Sequence, residues 1–156
     1  MSEIILTQAK YDEMQERLRY LESEGRAKIA QDMKTAREFG DLSENAEWAA
    51  AKEAQSKLES EVVELRESLM HATVIDESNI KTNKVGLGNT VTLRNETSGK
   101  EYEFKIVSSA EASSLENKLS DQSPIGKAVM GRKKGETVNA ITPRGSIPYT
   151  IVKISK

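Results

Sequence analysis

The residues best equipped for chemistry lie in one short stretch, Gly40-Asp41-Leu42-Ser43-Glu44-Asn45-Ala46-Glu47-Trp48, which places several carboxylates beside the single tryptophan of the chain. Carboxylate oxygens are the ligands that Mg²⁺ prefers, and one or two of them with several waters is the usual protein share of such a site. A pair alone binds weakly. Asp41 and Glu44 would therefore complete a metal site on a partner that already owns the other ligands and the phosphates. The same spacing, Asp41-x-x-Glu44, also fits a capping box, in which Asp41 accepts from the Glu44 amide and the Glu44 side chain reaches back to the Asp41 amide. Acids at a helix N-terminus gain from the helix dipole as well. Capping is the default reading of the segment, and the metal reading stands beside it. Arg37 and Lys52 flank the stretch. They could steer a phosphate backbone toward the acidic end, or serve as ordinary solvated charges on a helix pair. An exposed Trp48, one turn into a narrow hairpin, has little core to fill and marks a contact.

Two long helices must position these groups. From Gln8 to about Phe39 there is no proline, and Tyr11, Met14, Leu18 and Leu21 recur at helical spacing, followed by Ile29, Met33 and Ala36 after a break near Gly25. A second helix is predicted from about Asn45 to His71, with a stripe through Ala50, Ala54, Leu58, Val62, Leu65, Leu69 and Ala72. Gly40 between them suits a helix C-terminus and Asp41 a cap of the next helix. The expectation is an antiparallel coiled-coil finger over 1–74. Each arm of roughly 30 residues would be about 45 Å long, and alanines in the seam would keep the tip, 40–48, slender. His71 falls at its base as a surface or junction residue.

After Thr73 the period changes to two: Val91 and Leu93, the turn Asn95 to Gly99, then Tyr102, Phe104 and Ile106. Ser123-Pro124 opens a one- or two-turn helix ending at Gly131, with a cap residue, proline at the first position and glycine past the end. Thr137 to Thr142 and Ile147 to Ile154 read as two more strands about the Pro143-Arg144-Gly145 turn. Residues 109–122 lack a period and read as a loop with possible helical turns. The fold class is α+β: the hairpin followed by a compact, mostly antiparallel domain over 75–156.

Composition narrows the function. A chain of 156 residues can bury one ordinary core or two small ones. No stretch reaches the roughly 18 apolar residues of a membrane span, and the N-terminus lacks a basic region, a long apolar run and a small-residue cleavage site, so the chain reads as soluble and cytoplasmic. With no cysteine and one histidine there is no thiolate zinc site, no cysteine nucleophile and no imidazole cluster. Neither a dinucleotide fingerprint nor a P-loop is present around Gly86-Leu87-Gly88 or Gly126-Lys127. Residues 8–73 carry 10 Lys and Arg against 15 Asp and Glu, net −5, whereas 74–156 carry 13 against 9, net +4. That surplus is too small for free nucleic-acid binding through phosphates at physiological salt, so any nucleic acid is met inside a partner.

The tip motif, the following Ala50-Ala51-Lys52-Glu53-Ala54-Gln55 and the later Ser123-Pro124-Ile125-Gly126-Lys127-Ala128 resemble the bacterial Gre transcript cleavage factors, of the GreA type, nearly end to end. The resemblance implies a coiled coil inserted through the secondary channel of RNA polymerase and a C-terminal domain of FKBP-like fold docked on the channel rim. It implies that Asp41 and Glu44 help the polymerase hold its second Mg²⁺ and orient a water for hydrolysis of backtracked RNA. The factor would thus be no enzyme by itself and hold no cofactor of its own. The family's contacts to the RNA 3′ region fall on Arg37 and Lys52. Gly40, Ser43, Asn45 and Trp48 would shape the tip, and Ser123, Pro124 and Ile125, with Asp121 before them, would face the polymerase. The free protein is expected to be a monomer. Trp48 stands where the family more often has tyrosine, which removes a phenol hydroxyl but keeps a stacking ring, and Pro148 is an extra proline. No prolyl isomerase activity is expected from the FKBP-like fold. The alternatives are a secondary-channel regulator that binds polymerase without promoting cleavage, and a coiled-coil adaptor whose acidic tip is only a cap.

Overall fold

A computed structural model describes residues 3–42 and 44–156, and Ser43 of the expected tip set lies outside them. The chain begins with a short strand, β1 (Ile4–Leu6), and helix α1 (Gln8–Tyr20). A five-residue π-helical turn, Leu21–Gly25, joins α1 to α2 (Arg26–Arg37) with helical dihedrals at both ends, so the irregularity expected near Gly25 is a widened turn. Gly25 faces Leu58 closely there, since a Cβ would lie 3.0 Å from Leu58 Cδ1. Helix α3 (Ala46–Met70) returns antiparallel over 25 residues, about 37 Å at 1.5 Å per residue.

The hairpin core is Leu21, Leu58 and Val62, with Leu18, Ile29 and Leu65 packed against it. The expected stripe through Ala50 and Ala54 is corrected: both are exposed, and Ala51 is buried instead. Successive steps of four residues overshoot a 3.6-residue turn and walk off the seam, whereas Ala51, Gln55, Leu58, Val62, Leu65 and Leu69 alternate steps of four and three and stay on it. Gln55 concealed this phase because it is polar.

Ion pairs lace the two sides of the seam. Arg17 makes a two-point contact with Glu61 at 2.7 and 3.1 Å, Arg26 one with Glu59 at 2.9 and 3.0 Å, and Arg66 binds Glu22. Donation from Arg26 and from Arg17 holds the Glu59 and Glu61 carboxyls, respectively, below the ordinary range.

Beyond the hairpin, β2 (Ala72–Val74) pairs with β1 in a two-stranded sheet. The main sheet has the order β5-β4-β3-β7-β6, from β3 (Thr90–Asn95), β4 (Glu101–Val107), β5 (Lys118–Ser120), β6 (Thr137–Thr142) and β7 (Gly145–Ser155). All neighbours are antiparallel except β4 and β5. The short helix α4 (Pro124–Val129) packs on β6. Val91, Leu93, Ile106, Val129, Ala140 and Ile151 are fully buried in one core. The α+β class, the hairpin and the predicted strand pairs are present. Residues 109–122, read as a loop, contain β5, which pairs in parallel with Lys105–Val107.

Contacts divide the chain into two units, Tyr11–Ala72 and a second formed by the segment ending at Lys10 together with Thr73–Lys156. The first residues thus pack with the second unit. Thr7 is the key: its N–H and its hydroxyl donate to the two carboxylate oxygens of buried Glu111 at 2.9 and 2.8 Å, while its Oγ1 accepts from the Lys10 N–H at the start of α1. The Ser108 hydroxyl donates to the Ile5 oxygen beside it. No helix among the described residues is long and apolar enough to cross a membrane.

Candidate functional site at the hairpin tip

The turn between α2 and α3 is built by backbone capping. At the end of α2 the Phe39 and Gly40 N–H groups donate to the Ala36 and Arg37 oxygens at 3.1 and 3.3 Å, and Gly40 takes φ +103°, the left-handed conformation that glycine accepts most readily. Asn45 then starts α3. Its backbone is extended, and its Oδ1 accepts from the Glu47 and Trp48 N–H groups at 3.0 and 3.1 Å. Its Nδ2 donates to the Ala36 oxygen across the turn at 2.6 Å. One side chain therefore caps the second helix and ties it to the end of the first.

This corrects the capping-box reading. Asp41 stands four residues ahead of the cap and Glu44 immediately before it, so neither occupies the capping position of α3. Asn ranks with Asp and Ser among capping residues, and Asn45 ahead of Ala-Glu-Trp was the signal that the Asp41-x-x-Glu44 spacing obscured. With the helix satisfied by Asn45, both Asp41 and Glu44 remain exposed on the turn. Phe39 and Leu42 are also exposed there, Phe39 at 68%, giving the tip an apolar component that charge-based reading missed.

Behind the carboxylates, three of the expected residues come together. Trp48 is half-buried rather than free in solvent. The Arg37 guanidinium carbon lies 5.5 Å from its ring centroid and the Lys52 Nζ 5.7 Å from the same centroid. Arg37 is the last residue of α2, while Lys52 follows Trp48 by one turn of α3. Each such contact is worth about 0.5–1 kcal/mol at an exposed site, and tryptophan is the best partner ring. The Lys52 ammonium also reaches Gln55 Oε1 at 3.4 Å.

The second expected surface is separate in sequence and serves a different element. Ser123 caps α4: its Oγ accepts from the Gly126 N–H at 3.0 Å and donates to the Ser120 oxygen at 2.6 Å. Pro124 follows at the first helical position and is exposed, and Asp121 is half-buried. Ile125 packs against the sheet core, so its side chain serves the fold. Gly126 is required by crowding, because a Cβ would fall 2.0 Å from the Ser120 oxygen.

Two family models together span almost the whole chain. One, described as transcription elongation factor, N-terminal, matches residues 4–74, and the other, transcription elongation factor, GreA/GreB, C-term, matches 80–156. The chain is 44% identical over 153 residues to the transcription elongation factor GreA of Caldanaerobacter subterraneus subsp. tengcongensis, covering 98% of each. This chain belongs to the GreA/GreB family of transcription elongation factors. Another GreA, from Amoebophilus asiaticus, is 45% identical over 138 residues, covering 88% of each chain. A crystal structure of Thermus aquaticus Gfh1 aligns over 100% of both chains at 30% identity with a TM-score of 0.46. In this member of the GreA/GreB family the tip thus presents two exposed acids on a capped turn, with two cations gathered on one indole ring.

Proposed function

We propose that this elongation factor is a transcript cleavage factor, a non-enzymatic partner of RNA polymerase whose hairpin tip enters the secondary channel and stimulates the polymerase's own Mg²⁺-dependent hydrolysis of backtracked RNA. The observation that carries the reading is that Asp41 and Glu44 stand exposed on the turn, ahead of Asn45, which holds the capping position of the return helix. Among the described residues no group of three acids or histidines could hold a metal. The pair therefore fits a metal only as a minority share of ligands, completing a site that a partner owns. A divalent cation bound there would generate the hydroxide nucleophile and neutralise charge on the phosphate. Asp41 and Glu44 would supply oxygen ligands and accept a hydrogen bond from the attacking water. Arg37 and Lys52 would take the RNA backbone near its 3′ end, Lys52 as a point charge. Ser123 and Pro124, with Asp121, would present the C-terminal domain to the channel rim, a docking that leaves the chemistry to the tip.

The test is a stalled, backtracked elongation complex with labelled RNA at fixed Mg²⁺, measured with polymerase alone, with this protein and with its Asp41→Asn form. Stimulation by the natural protein and a loss of roughly a hundred-fold in the variant, with polymerase binding retained, is expected. Equal cleavage by the variant removes the acids from the chemistry. Binding without any stimulation would make the protein a channel-blocking regulator instead.

A further inference from the structure

We infer that Trp48 is a positioning residue: its indole gathers Arg37 from one helix and Lys52 from the other into a single cationic pair aimed at the RNA backbone. This rests on the cleavage-factor reading for its consequence, but its physical content belongs to the free protein. The two cations sit at 5.5 and 5.7 Å from one ring centroid, although they belong to different helices and repel each other. Both are long side chains with many rotamers, and neither makes an ion pair among the described contacts of this turn. The negative face of the indole supplies the attraction that offsets repulsion and rotamer freedom. Trp48 is half-buried, and its backbone N–H is held by Asn45 Oδ1. The chain of support runs from Ala36 through Asn45 to Trp48 and then to the two cations. Replacing the ring by an aliphatic side chain removes the π face that attracts the pair.

The tryptophan is the only one in the chain, so its emission reports this site alone. In the full-length free protein, iodide quenching should exceed that expected from neutral acrylamide, because the two cations concentrate the anion at the ring. Arg37→Gln and Lys52→Gln should each lower the iodide quenching constant, roughly two-fold in the double variant, with acrylamide quenching unchanged. Unaltered iodide quenching in the double variant would overturn the gathering of the cations on the ring. In the backtracked complex, Trp48→Leu should lower the maximal cleavage rate roughly ten-fold, a cost expected of misplaced groups, and Trp48→Tyr or Trp48→Phe should restore most of it. In the Arg37→Gln, Lys52→Gln background, Trp48→Leu should cost less than about two-fold more, since the ring acts through the cations. An equal cost in both backgrounds, or no rescue by the other aromatics, would overturn the inference. If Asp41→Asn leaves cleavage intact, the cleavage reading falls while the quenching result still decides the positioning role.

Discussion

The side-chain amide nitrogen of Asn45 donates to the main-chain oxygen of Ala36 at 2.6 Å, so the cap residue of the return helix is bonded to the buried residue near the end of the outgoing one. The same side chain caps α3 through the Glu47 and Trp48 amides. Its two ends can be tested apart. Asn45→Ala loses all three bonds and should cost about 1–2 kcal/mol in local stability. Asn45→Asp keeps an acceptor for the cap but sets a carboxylate oxygen against the Ala36 carbonyl, so it should retain the helix start and lose the tie. Amide exchange over residues 36–48 distinguishes them, and a turn as protected in Asn45→Asp as in the natural protein would show that the tie has no weight.

Glu111 is buried, and Thr7 supplies two donors to it while Lys118 Nζ approaches at 3.4 Å. Glu111→Ala strands the Thr7 N–H and should cost about 2–3 kcal/mol in chemical denaturation of the full chain. Lys118→Met should cost less, because Lys118 also leans toward exposed Glu116 at 3.1 Å and the Thr7 donors remain. The opposite ranking would mean that charge pairing, not the Thr7 bonds, secures this contact.

The hairpin ion pairs give a pH dependence of known sign. Donation from Arg26 and Arg17 lowers the folded values of Glu59 and Glu61 below 4.5, so their contribution is complete above that value and disappears as pH falls through the lowered folded values. Thermal melts followed by helical circular dichroism should drop as pH falls below 4.5, and added salt should shrink the drop because these groups lie near solvent. An Arg17→Met, Arg26→Met variant should lose the part of the slope due to these two pairs. An unchanged slope would place the acid sensitivity elsewhere.

Legibility in the sequence followed the range of the interactions. The two helices, the turn at Gly40 and the Ser123-Pro124 helix were readable because period and capping chemistry are local. The seam phase was misplaced, since two alanines mimicked an apolar stripe and Gln55 interrupted the true one. β1, β2 and β5 have three residues each, too short to show a period of two, and each exists through pairing with another strand. At the tip the residue types were legible, but not that Trp48 would draw Arg37 and Lys52 to one ring. That depends on how α2 and α3 face each other.

Thr7 and Glu111 are separated by 104 residues, and this distance orders events during synthesis. The hairpin contacts join segments that leave the ribosome one after the other, and close with a short loop, whereas the acceptor for Thr7 emerges only after most of the sheet has been made. Thr7 therefore gains its partner only after the chain has been made as far as Glu111.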